Sequence, residues 1–224
     1  MSNTVLFSEM IPAPEWEDKF NEWYDTEHIP IRLKAPGFLR ARRYRELNSN
    51  KYLAVYEMDS PQALQTEEYR KIKGEPSERT RWMLANVTGF TRYTGNLIGE
   101  WTNRWIHHSG SNDPFDAPIL YSVMFAVPKA REEEFNRWYD EDHVPTLLKN
   151  KGWLACRRYK IFSGEPGNWT HLALHYLQDP QVLDCEERKE ARRSPWREKL
   201  AQEDWFKGNY MTFSHIKTFC SVRN

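Results

Sequence analysis

Short apolar runs and amphipathic stretches alternate along the chain in a fixed order, and the order then repeats. Val5 to Met10 and Ile119 to Val127 read as opening strands. From Pro14, and again from Ala130, apolar positions recur at helical spacing, so that Phe20, Trp23, Tyr24 and Glu27 span one broad face. This helix is expected to end near a His-x-Pro, because the residue before proline is pushed away from helical conformation. Leu39 to Arg45 and Tyr52 to Met58 read as a hairpin turned at Asn48-Ser49-Asn50. A second helix follows Pro61 or Pro180, and a last strand lies near Phe90 to Gly95 or Met211 to Phe219. The order β-α-β-β-α-β is that of a ferredoxin-like unit, an antiparallel sheet with helices on one face.

The repetition extends to individual residues. Shifted by 115 positions, Phe20-Asn-Glu-Trp-Tyr-Asp-Thr-Glu-His-Ile-Pro30 lies over Phe135-Asn-Arg-Trp-Tyr-Asp-Glu-Asp-His-Val-Pro145, and 14 of the 25 positions from Phe20 to Tyr44 are identical, which chance does not produce. After Tyr159 the second copy gains four residues, and the register resumes at 119, with Tyr52 and Tyr56 over His171 and His175. The expected organisation is a first domain over 1–101, a linker over 102–117 and a second domain over 118–224. The open sheet face of each unit needs cover. The fold expected is therefore α+β, two ferredoxin-like βαββαβ repeats packed sheet to sheet as a pseudo-dimeric α/β barrel within one chain.

Composition narrows the partners. The chain has 224 residues, with 32 basic residues balanced by 32 acidic ones. It has no long-range field to gather nucleic acid or an anionic membrane surface, so neither is an expected partner. No segment approaches the length of a membrane span, and the first residues lack the apolar run of a secretory signal; a cytoplasmic protein, monomeric or homodimeric, is expected. Cys156, Cys185 and Cys220 fit neither a disulfide framework nor a zinc pattern and are read as reduced, mostly buried thiols.

Trp23-Tyr-Asp-Thr-Glu-His28-Ile-Pro30 with Gly37-Phe38, and Trp138-Tyr-Asp-Glu-Asp-His143-Val-Pro145 with Gly152-Trp153, resemble the dimeric α/β-barrel superfamily, especially its EthD-like members. The resemblance covers both copies. It implies the barrel fold but a range of chemistries, from cofactor-free monooxygenases and muconolactone-type isomerases to polyketide cyclases, decarboxylases and haem enzymes of the chlorite dismutase type. It also implies that the histidine faces a cavity.

The residues themselves suggest proton transfer. His28 and His143 titrate near neutrality, Asp25 and Asp140 could hold their tautomers, and Tyr24 and Tyr139 could steady a developing oxyanion. The alternative is that the histidines merely finish a helix. Trp23, Trp138, Arg42, Arg157, His171 and His175 are candidates for substrate binding, with an ion pair to Asp25 or Glu27 as the other reading of the Arg42-Arg43 pair. His171 and His175 share a strand face and, with His143 or His215, could form a metal or haem site, although no carboxylate or thiolate accompanies them at suitable spacing. No metal site and no cofactor are therefore expected. The function expected is a cofactor-independent lyase, isomerase or decarboxylase acting on a small aromatic or unsaturated carbonyl compound. A haem- or metal-dependent oxidoreductase or monooxygenase of the same fold, and a non-catalytic binding module, are the alternatives.

Overall fold

The computed structural model describes residues 2–104 and 113–221. The first repeat runs β1 (Thr4–Ile11), α1 (Glu17–Trp23), a π-helical turn (Tyr24–His28), α2 (Ile29–Leu33), β2 (Phe38–Glu46), β3 (Tyr52–Met58), α3 (Glu67–Gly74), α4 (Glu78–Asn86) and β4 (Thr88–Thr102). The second runs β5 (Ile119–Phe125), α5 (Glu132–Trp138), a π-helical turn (Tyr139–His143), α6 (Val144–Leu147), β6 (Trp153–Glu165), β7 (His171–Leu177), α7 (Glu186–Arg192), α8 (Pro195–Leu200) and β8 (Asn209–Cys220).

Pairing is antiparallel and equivalent in the two repeats. β1 pairs with β3 and β4, and β2 with β3; β5 pairs with β7 and β8, and β6 with β7. A register shift interrupts β2 between Phe38 and Arg40, and β6 between Trp153 and Ala155, so even the irregularity is duplicated. Each repeat is ferredoxin-like, and the hydrogen-bonding order β1-β3-β2-β8-β5-β7-β6-β4 closes as a barrel.

The compact units do not follow the chain order strictly. One comprises 1–96, 162–166 and 216–224, the other 97–161 and 167–215, so β4 and β8 each have one end in either unit. Within the first unit the Ser221 N–H donates to the Leu39 carbonyl, and within the second the Asn103 N–H donates to the Leu154 carbonyl. Most of the expected linker, residues 105–112, lies outside the described residues.

Each unit has its own apolar core. Phe20, Trp23, Tyr24, Ile29, Phe38 and Tyr56 are buried together in one, and Phe135, Trp138, Tyr139, Val144, Trp153 and Leu177 in the other. Gly37 opens β2 at φ +87°, and a Cβ there would come within 2.6 Å of the Ala63 Cβ; glycine lets strand and neighbouring turn close up. The thiols correct one expectation, since Cys156 is buried, Cys185 half-buried and Cys220 exposed. No described helix is long and apolar enough to cross a membrane.

The helix expected to stop at His-x-Pro does not stop. Ile29 N–H donates to the Tyr24 carbonyl and Val144 N–H to the Tyr139 carbonyl, five residues back, so the ladder slips by one residue before each proline. Pro30 and Pro145, which have no N–H to give, then fall inside α2 and α6. In a regular helix residues five apart point about 140° away from each other. The wider turn instead brings His28 against Trp23, ring centres 4.2 Å apart, and His143 against Trp138, at 4.8 Å.

Candidate active site

The repeated aspartates serve the scaffold. Asp25 pairs with Arg43 and approaches Lys217 at 3.6 Å, while Asp140 pairs with Arg158. Arg43 also donates to Asn21 Oδ1 (2.7 Å) and lies over the Tyr24 ring at 4.7 Å; Arg158 donates to Asn136 Oδ1 (2.6 Å) and lies over Tyr139 at 4.4 Å. Both arginines are 2% exposed. They bolt the first helix of each repeat to its second strand, and the aspartates are bound to them rather than to the histidines. Arg42 and Arg157, one residue earlier, point to the opposite sheet face. Arg42 pairs with Glu57, and Arg157 pairs with Glu100 (2.7 Å) and covers the Phe115 ring at 3.4 Å.

The histidines end in different surroundings. His28 is buried between Trp23 and Tyr24, whose ring is 4.6 Å away. Burial, followed by the charges of Arg32 and Arg43, holds it well below the usual histidine range, hence neutral. His143 is pulled down to about 3 by burial, then by Arg197, Arg158, Arg188 and Arg192. The Nδ1 atoms of both are buried without a hydrogen-bond partner. His143, however, lines a narrow pocket with about 30 Å³ of free space.

That pocket lies wholly within the second unit. Its inner wall is a hydrogen-bonded chain on buried side chains: Trp153 Nε1 is 3.1 Å from His175 Nδ1, and His175 Nε2 is 2.9 Å from Tyr139 Oη. Indole N–H is only a donor, so His175 Nδ1 accepts. The neutral ring then carries its proton on Nε2 and donates to Tyr139, in keeping with burial pushing His175 well below its usual range. Tyr139 Oη is thereby an acceptor for His175, and its own O–H is left to point at whatever enters. Burial raises this phenol well above its ordinary value, so it stays protonated. Trp138, 2% exposed, also lines the pocket, and its Nε1–H has no acceptor.

The equivalent space of the first repeat is filled by rings. Pairing places Tyr56 opposite Leu6 where the second repeat has His175 opposite Tyr121. Helix caps align the rest: Thr66 accepts from the Tyr69 N–H as Cys185 does from that of Arg188, and Ser77 from the Thr80 N–H as Ser194 does from that of Arg197. Tyr69 is buried and stacked on Phe38 at 5.2 Å, and Phe38 in turn meets Tyr56 at 6.1 Å. Thr80 Oγ1 accepts from Trp23 Nε1 at 3.0 Å. Arg188 and Arg197 replace Tyr69 and Thr80, which opens the pocket and leaves Trp138 unpaired. Sequence comparison brought out the Tyr56/His175 difference but missed these two. The helix caps were the signal, since the Ser-x-x pattern at Ser77 and Ser194 fixes a register of 117 there.

Of the candidates, the structure therefore gathers Trp138, Tyr139, His143 and His175 around one pocket. His171 lies elsewhere, packed on Phe135 at 5.1 Å with Nδ1 3.0 Å from Thr170 Oγ1, and burial pulls it down to about 3. Four residues of strand separate it from His175 by about 13 Å, too far to share an ion. His175 has both ring nitrogens engaged. Among the described residues no three His, Cys, Asp or Glu side chains are grouped to hold a metal ion, so a metal or haem held by the His171/His175 pair does not fit.

A family model described as a domain of unknown function (DUF4286) matches residues 118–215, the repeat that holds the pocket. None of the curated proteins matches the chain. In fold, the chain is similar to an anthrone oxidase-like protein, with TM-score 0.71 and 12% identity over 100% of this chain and 95% of that one. It is also similar to a protein from Fusobacterium nucleatum subsp. nucleatum provisionally designated a monooxygenase (TM-score 0.60, 10% identity, 98% and 95% covered). A chlorite dismutase variant from Candidatus Nitrospira defluvii, in complex with cyanide, gives TM-score 0.61 at 7% identity over 96% and 90%. These likenesses extend the shared fold to the whole chain.

They also correct the expected chemistry. Three proteins of like fold carry oxidase-like or monooxygenase names, and another is a regulator of staphylococcal pathogenesis; none is named a lyase, isomerase or decarboxylase. Asp140, expected to orient His143, is bound instead to Arg158.

Proposed function

We propose that the chain is an oxidoreductase of the monooxygenase type, acting on an electron-rich aromatic compound in the pocket of its second repeat, and that its motif places it near the EthD-like branch of the barrel superfamily. The observation that carries this reading is the pocket's polar equipment: a buried tyrosine whose O–H is freed by the His175–Trp153 chain, facing a neutral His143. The names of the like-folded proteins support the direction of the chemistry.

In such a reaction an activated ring methylene and O2 become a ring carbonyl and water. One oxygen atom stays on carbon, the other leaves with both hydrogens, and the substrate itself is the reductant. His143, neutral at physiological pH, accepts the first proton as the carbon becomes electron-rich. The Tyr139 hydroxyl donates to the oxygen on which negative charge collects, from a site closed off by rings where such a bond is strong. Trp138 Nε1–H offers a second donor on the same wall.

Oxygen uptake with anthrone and with hydroxynaphthalenes tests this, with isotope-labelled O2 showing where the oxygen goes. The expected result is one labelled oxygen per product molecule, with Tyr139→Phe lowering kcat about 100-fold and His143→Ala by a similar factor. Undiminished turnover in both variants, or no uptake with any of these aromatics, sinks the reading.

A further inference from the structure

Three guanidinium groups converge at the outer end of the pocket: Arg188 and Arg192 one turn apart on α7, and Arg197 on α8. Arg188 and Arg197 are half-buried and Arg192 is exposed, so the group faces the mouth. The inner two are held in place, Arg188 also by a hydrogen bond to the Tyr121 side chain. Arg188 Nη1 donates to the Leu183 carbonyl (2.6 Å) and its head lies 5.7 Å from the Tyr121 ring; Arg197 Nη1 donates to the Arg192 carbonyl (3.1 Å) and its head lies 5.7 Å from Phe206.

Among the described residues none of the three forms an ion pair. The nearby carboxylates are committed elsewhere: Glu186 to Lys189 (2.6 Å), Glu187 to Asn150 (2.9 Å), Glu190 to Lys149 (2.8 Å) and Asp142 to Ser194 (2.6 Å). Glu198 is on the exposed face of α8. Burial, then Arg192, lowers Arg197, with Tyr210 and Glu198 offsetting part of the effect. The first repeat has only Lys73 among the corresponding positions, with Tyr69 and Thr80 at the other two.

Resting on the reading of this pocket as the substrate site, we propose that it takes an aromatic carboxylate, with Arg188, Arg192 and Arg197 gripping the carboxylate at the mouth while the ring lies inward against Tyr139, Trp138 and His143. Guanidinium forks match a carboxylate in two parallel hydrogen bonds, and the tethered arms of Arg188 and Arg197 are already placed. The rings of Tyr121 and Tyr210, nearly parallel at 12° with centres 6.2 Å apart, flank the approach. The contact fixes which end of the substrate meets the reacting groups. It also places a negative charge among the arginines that depress His143, so that this histidine becomes a better base when the pocket is filled.

Binding of 1-hydroxy-2-naphthoate and of its uncharged carboxamide, followed by ligand fluorescence, separates charge from shape. The carboxylate is expected to bind at least tenfold more tightly. Arg192→Gln and Arg197→Gln should each remove three- to tenfold of that preference while leaving carboxamide affinity unchanged, and Arg192→Glu, at an exposed position that folding tolerates, should abolish it. Equal affinity of the two probes, equal weakening of both by the arginine variants, or no binding of either overturns the proposal. The measurement needs no turnover. Preference without oxygen uptake defeats the monooxygenase reading alone, and oxygen uptake without preference defeats the carboxylate alone.

Discussion

At the scale of single residues, the decisive feature is the protonation of buried histidines. His28, His143, His171 and His175 are all held below the usual value of 6.5, chiefly by burial. An unfolded chain binds protons at these positions below that value, whereas the folded chain does not. Stability is therefore present above pH 6.5 and falls as the pH drops through the window down to about 3, where His143 and His171 titrate in the folded state. Between pH 7.5 and 6 each histidine removes roughly 0.8 kcal/mol, or about 3 kcal/mol for the four. Thermal unfolding across that range should show Tm falling by roughly 6–12 °C; a flat Tm would mean that some of these rings are protonated in the fold.

At the scale of elements, the duplicated π-helical turn is what makes the motif usable. It turns a sequence that should end a helix into one that continues past a proline, and it lays histidine on tryptophan five residues away. The Arg43–Asp25 and Arg158–Asp140 clamps tie that helix to the sheet. Asp140→Ala leaves a nearly buried guanidinium without its carboxylate, and a loss of about 2–4 kcal/mol is expected in denaturant unfolding. An orienting role for Asp140 toward His143 would instead show as lost activity at unchanged stability.

At the scale of the whole molecule, duplication has produced unequal halves. One repeat fills its helix–sheet interface with Tyr56, Tyr69 and Phe38; the other substitutes His175, Arg188 and Trp153 and acquires a pocket. Returning first-repeat residues to the second, as in the double variant Arg188→Tyr with Arg197→Thr, is expected to close the pocket and give Trp138 Nε1–H an acceptor. Ligand binding should fall at least tenfold while Tm rises or holds. A double variant that still binds would place the working site elsewhere.

The amino-acid sequence by itself determined the duplication, the β-α-β-β-α-β order and the shared Trp-Tyr-Asp-x-acid-His-x-Pro helix, because apolar periodicity and turn residues act over a few positions. Trp138, Tyr139, His143 and His175 were legible as candidates on the same basis. Which partner each side chain meets was decided only by the tertiary structure. The aspartates sit three residues before the histidines in the chain, yet buried arginines from the neighbouring strand claim them, since an unpaired buried guanidinium costs more than an unoriented imidazole. The arginines of α7 and α8 reach the pocket from some fifty residues further along the chain, a distance over which no local pattern operates; the fold brings them to a histidine that looked, in sequence, no different from its twin.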